Sequence, residues 1–138
     1  MNKEIINVKK RNGRGTEPLN IEKIHEMVEY ACEDISGVSS SQVEMNSGLQ
    51  FYDGMTTDEI QKILVKSASD LISLENPNYQ YVAARLLLYS LRKQVIDKLW
   101  DHPHIYEHTK KCIDKGVYDS EILNLYDKKD FDRMENWV

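Results

Sequence analysis

Residues Val8 to Asn20 read VKKRNGRGTEPLN, with four basic side chains (Lys9, Lys10, Arg11 and Arg14) and two glycines among thirteen residues. Fixed ammonium and guanidinium groups this close together can hold an anion through charge-assisted hydrogen bonds. The chain as a whole is acidic, with a net charge of −5 over 138 residues. Up to Lys23 there are six Lys or Arg against three acids, and the remainder carries twelve against twenty. The positive field is therefore local, which suits a small anionic molecule held near the N-terminus better than a nucleic acid wrapped over the whole surface.

Other residues with chemical potential have plainer explanations. His102, His104 and His108 lie within seven residues, but they straddle Pro103 and no cysteine or carboxylate completes a zinc-site spacing, so no metal site is expected. Asp53, Asp58 and Glu59 form a carboxylate group with no histidine, serine or cysteine beside them in a catalytic pattern, and helix capping accounts for them. Tyr79 and Tyr81 could stack on bases, yet their helical phase suits a core role. Arg92 and Lys93 close a helix, where positive charge complements the dipole. Cys32 and Cys112 are far apart in helical segments, which fits reduced thiols rather than a disulfide framework. Neither a G-x-x-x-x-G-K-S/T nor a G-x-G-x-x-G pattern occurs, so a phosphate site here must be of another kind.

The elements that must position these groups follow from periodicity and punctuation. Ile5, Ile6 and Val8 give residues 5–9 strand character, Asn12-Gly13 is a turn signal, and Thr16 to Leu19 can return as a second strand. Asn20 is a natural N-cap for a helix with apolar positions Ile21, Ile24, Val28, Ala31 and Ile35, stopped by Gly37. The basic turn thus leads directly into a helix N-terminus, a place that favours anions. Ser41 with Glu44 predicts a capping box for a second helix to about Phe51, and Thr56 with Glu59 predicts one for a third. In that third helix Ile60, Ile63, Leu64, Ser67, Ala68, Leu71 and Ile72 form a clean amphipathic stripe. Asn76-Pro77 opens a fourth helix to about Trp100, apolar on most of its circumference and therefore expected to be central. Beyond Pro103 come three short amphipathic stretches, Ile105 to Lys115, Ser120 to Tyr126 and Lys128 to Trp137, with too few apolar residues for a core of their own. The fold class expected is α+β, mainly helical, with a small N-terminal hairpin. No segment approaches the length of a membrane span or has a signal-peptide pattern, so a cytoplasmic protein without membrane contact is expected.

Five stretches resemble, in register and in order, the N-terminal region of the large subunit of class I ribonucleotide reductase: VKKRNG, EPLNIEKI, DGMTTDEIQ, NPNYQYVAARLLLYSLRK and YEHTKKCIDKGVYDSEILNLY. The similarity covers essentially the whole chain. It implies that residues 1–95 form an ATP-cone, a regulatory nucleotide-binding domain built as a four-helix bundle capped by a small β-sheet, and that residues 96–138 form the helical start of the catalytic domain. Ribonucleotide reduction as this family performs it uses cysteines on a barrel beyond these residues, so no catalytic residue and no cofactor for chemistry is expected in this chain. The effector implied is ATP or dATP, with or without Mg2+. Lys10 and Arg11, joined by Lys93, would hold the triphosphate. Glu17 and Asn20 would address base and sugar, Val8, Leu19, Ile24 and Ile60 would form apolar walls, and Lys23, Thr57 and Gln61 would complete the pocket. Nucleotide binding would control overall activity through subunit association, with the rest of the large subunit, the small radical-generating subunit and further copies of the chain as partners, and without nucleic acid. By comparison with the bacterial pattern Gly15 is an extra residue in the hairpin, and Gln61 and Ser90 stand where many members have histidine. Two other classes remain open: a stand-alone transcriptional regulator using such a cone, which would need a zinc-binding segment that Cys32 and Cys112 are too far apart to form, and a helical interaction module without ligand.

Overall fold

The computed structural model describes residues 5–96 and 103–137. They divide into two compact units, one up to Val95 and one from Ile96. The class is α+β: a two-stranded antiparallel sheet at the N-terminus is followed by helices throughout. No helix among the described residues is long and apolar enough to cross a membrane.

In the first unit, β1 (Asn7–Lys9) and β2 (Thr16–Pro18) pair with Val8 opposite Glu17 and Lys9 opposite Thr16. The connection contains one 3-10 turn, Arg11–Gly13, which closes with Gly13 at φ +68°, a left-handed conformation that glycine adopts without strain. The hairpin is anchored on both sides. Leu19 donates its N–H to the Ile6 carbonyl at 2.8 Å, extending the pairing one residue past β2. On the other edge, Lys9 N–H donates to the Met55 carbonyl at 2.9 Å, Gly54 N–H to the Asn7 carbonyl at 2.8 Å, and Asn7 N–H to Asp53 Oδ1 at 2.7 Å. The segment entering the third helix therefore runs alongside β1 as a short parallel neighbour.

Four helices follow: α1 (Ile21–Cys32), α2 (Ser40–Gly48), α3 (Thr57–Asp70) and α4 (Tyr79–Ile96). Their buried stripes converge on Val28, Ala31, Val43, Leu64, Ala68, Val82 and Leu86, with Met55 at the foot of the hairpin and Val8 inserted from β1. Burial of these aliphatic side chains is the main force holding the unit together. Thr56 and Glu59 make the capping box expected of α3: Thr56 Oγ1 accepts from Glu59 N–H at 3.2 Å, and Glu59 Oε2 accepts from Thr56 N–H at 2.7 Å. Those bonds, the Thr56 N–H first and then the Tyr52 hydroxyl, hold the Glu59 carboxyl below its ordinary range.

Several expectations are corrected. Helix α1 stops at Cys32, short of Ile35, because Asp34 takes φ +58° and turns the chain before Gly37. The cap of α2 is Ser39 rather than Ser41, and Glu44 caps nothing: it binds His25 on α1, with His25 Nδ1 2.8 Å from Glu44 Oε1. Helix α4 is not apolar-buried on most sides. It buries one stripe, Tyr79, Val82, Leu86 and Tyr89, while Tyr81, Leu87, Leu88, Leu91 and Val95 are exposed. Tyr79 is a core residue as expected, and its hydroxyl accepts the Ser39 N–H at 3.0 Å and donates to Gln42 Oε1 at 2.7 Å. Tyr81 is not, because it points away from the helix face shared by Tyr79 and Val82. The end of this helix near Trp100 lies outside the described residues.

The second unit contains α5 (Ile105–Asp114), α6 (Ile122–Leu125) and α7 (Lys128–Glu135). The first and last pack through Phe131 and Tyr106, whose rings meet edge-on with centroids 5.4 Å apart. Asp127 and Asp130 form a capping box on α7. His104 lies 3.5 Å from both Asp132 and Glu135, and His108 lies 3.5 Å from the Cys112 sulfur; His102 is outside the described residues.

Candidate functional site

The hairpin places its basic tip against the start of α3. Lys10 reaches back across the hairpin to Glu17, Nζ to Oε2 at 2.7 Å, with both side chains 42% exposed. That hydrogen bond, with the added charge of Lys23, keeps the Glu17 carboxyl below its ordinary value. Arg11 reaches forward and pairs through Nη2 with Asp58 in the first turn of α3. The Arg11 side chain is only 20% exposed, and its Nε and Nη1 are buried without a protein partner. A guanidinium offers five N–H donors in a rigid fork, so one edge is committed to a carboxylate and the rest is available to a second acceptor.

The other expected residues lie on the hairpin, at the start of α1 and on α1, α3 and α4. Val8 is buried on β1, while Ile24 on α1 and Ile60 on α3 are buried in the adjoining core. Leu19 is half-buried at the end of the hairpin and Thr57 half-buried as the first residue of α3. Asn20 caps α1, its Oδ1 accepting the Lys23 N–H at 3.1 Å, which leaves the amide Nδ2 as a donor. Lys23 itself is exposed. Gln61, one turn after Asp58 on α3, donates through Nε2 to Met27 Sδ at 3.2 Å, and its Oε1 is buried without a protein partner. Lys93 stands exposed in the last turn of α4, and Ser90 is half-buried one turn earlier.

Asp58 and Asp53 are the residues that sequence reasoning misplaced. Capping accounts for Glu59, but Asp53 fastens β1 through Asn7 and Asp58 faces the Arg11 guanidinium. The nearest signal in the sequence was the surplus of acid beside DGMTT: a capping box needs one carboxylate three residues after Thr56, and the motif carries two in succession. Asn20 and Thr56 each satisfy an N3 amide, on α1 and α3 respectively. A separate open cleft lined by Glu26, Glu29, Tyr30, Cys32, Glu33 and Ser40 has the wrong sign for a polyphosphate.

The first unit is thus a basic two-stranded hairpin fastened beside the capped start of α3 and followed by four helices. The chain belongs to the ATP cone domain family, which it matches over residues 6–94. Along its full length it is 41% identical to the ribonucleoside-diphosphate reductase 1 subunit alpha of Salmonella typhimurium and, equally, to that of Escherichia coli. A Helicobacter pylori ribonucleoside-diphosphate reductase subunit alpha is 38% identical over 97% of the chain. The chain spans 18% of the length of each of these relatives.

Proposed function

We propose that the chain is the nucleotide-sensing start of a ribonucleoside-diphosphate reductase large subunit, and thus part of an oxidoreductase whose chemistry lies beyond these residues. Residues 1–95 act as the cone, with α1 to α4 as a four-helix bundle under the hairpin, and residues 96–138 begin the catalytic part. The effector is ATP or dATP, with or without Mg2+. Its triphosphate is held by Lys10, Arg11 and Lys93, and its base and sugar are read by Glu17 and Asn20 against Val8, Leu19, Ile24 and Ile60. Lys23, Thr57 and Gln61 close the pocket. Occupancy changes how the large subunit associates with its own copies and with the small radical-generating subunit in the cytoplasm, an allosteric effect of typically about 1–3 kcal/mol.

The observation that carries this reading is Arg11. A guanidinium one-fifth exposed, with two nitrogens buried and without a protein partner, is costly unless a ligand oxygen completes it. Polyphosphate supplies such oxygens, and Lys10 beside it supplies a second cation. Thermal denaturation with ATP, dATP and GTP tests the proposal: an adenine nucleotide at 100 times its dissociation constant adds about 2.7 kcal/mol of stability. No shift with any of the three, in a chain that unfolds cooperatively, would leave a helical interaction module instead.

A further inference from the structure

The two hairpin cations assigned to phosphate each hold a carboxylate, Lys10 that of Glu17 and Arg11 that of Asp58. Glu17 belongs to the proposed nucleotide site; Asp58 has no part in it. Nor is Asp58 part of the α3 capping box, which Thr56 and Glu59 form without it. Its carboxylate is committed to the one guanidinium that a polyphosphate would use. We propose that Asp58 is a built-in competitor of the effector's phosphates: phosphate and the Asp58 carboxylate exchange on Arg11, and the exchange unties the hairpin tip from the first turn of α3. The inference rests on the nucleotide reading of this site and adds to it the residue that sets its binding threshold.

Phosphate can enter through the Arg11 Nε and Nη1 donors that have no protein partner, and charge then favours exchange over simultaneous occupation. A carboxylate and a polyphosphate sharing one guanidinium repel each other, and the repulsion is screened less where the guanidinium is mostly withdrawn from water. The rest of the hairpin need not move for Arg11 to change partners. Strand β1 is fastened independently by Lys9 N–H to the Met55 carbonyl and by Gly54 N–H to the Asn7 carbonyl. Movement is confined to the turn, where Gly13 and Gly15 both sit at positive φ and give the tip its backbone freedom. The contact broken is the one that joins the ligand's own cation to α3, the helix that packs on α2. Occupancy of the site is thereby converted into a change at a helix start.

Asp58→Asn removes the charge and keeps the shape, and Asp58→Ser removes it with another residue suited to a helix start. Calorimetry at fixed ionic strength, with ATP and with inorganic tripolyphosphate, should give dissociation constants about three- to tenfold lower than wild type for both ligands in both variants. Asp58→Glu, which keeps the charge, should stay near wild type. Hydrogen exchange at Arg11 to Gly13 should be faster in Asp58→Asn than in wild type without ligand, and the two should converge with ATP bound. Unchanged or weaker binding in both neutral variants would overturn the proposal and make Asp58 a positioning residue for Arg11. Wild-type protein that binds neither ATP nor tripolyphosphate would overturn the nucleotide reading itself, and this inference with it.

Discussion

Replacing Lys10 and Arg11 together with alanine should nearly abolish nucleotide binding while leaving the fold intact. Each cation can give phosphate a charge-assisted hydrogen bond worth about 1.5–3 kcal/mol. Neither bond is free of competition, since Lys10 must leave Glu17 and Arg11 must leave Asp58. Taking the low end for each, the pair supplies about 3 kcal/mol, or roughly 150-fold in Kd. Stability should change little, because the Lys10–Glu17 pair is open to water and exposed ion pairs contribute little. The hairpin is held by backbone bonds to Met55, Asn7 and Ile6 that the substitutions do not touch. Isothermal calorimetry with ATP, beside far-ultraviolet circular dichroism and a urea melt, separates binding from folding. Equal ATP affinity in wild type and the double variant, with unchanged helix content, would refute the assignment of the hairpin as the phosphate site.

Tyr79→Phe should cost about 1–2 kcal/mol, since it removes the acceptor for Ser39 N–H and the donor to Gln42 and so loosens α4 from the start of α2; an unchanged urea midpoint would contradict this. The His25 imidazole is pushed above its ordinary value of 6.5 by its hydrogen bond to Glu44, aided by the charge of Glu29. Because the folded-state value is the higher one, its contribution is fully present below pH 6.5 and is lost as pH rises through the folded value. The stability gap between wild type and His25→Gln should therefore be wider at acid than at alkaline pH, and a gap independent of pH would exclude the α1–α2 brace as a titrating contact. In an assembled reductase carrying this chain, dATP should inhibit only weakly. Gln61 carries no charge and turns one of its two amide N–H donors to Met27, and Ser90 is too short to reach as a histidine would. A steep fall in activity at low dATP, with a shift to larger oligomers, would show that these two residues do not have that effect.

The sequence alone determined the features governed by residues close together along the chain. The capping box of Thr56 and Glu59, the amphipathic stripe of α3 and the turn at Asn12-Gly13 depend on spacings of a few residues, where backbone geometry leaves few alternatives. The positive tip was legible for the same reason, with four basic side chains against one acid in thirteen residues. Tertiary structure decided which partner each charged group met. Asp58 and Asp53 look like capping acids until the hairpin folds back and brings Arg11 to one and Asn7, 46 residues away, to the other. Glu44 looks like half of a capping box until α1 presents His25. Tyr79 and Tyr81 are two residues apart on a helix, and only the position of α1 and α2 around α4 buries the first and exposes the second. A carboxylate carries no local preference strong enough to choose among a helix amide, a lysine and a guanidinium. The choice falls to whichever donor packing brings within about 3 Å, and packing is set by burial of the apolar stripes rather than by the charges themselves.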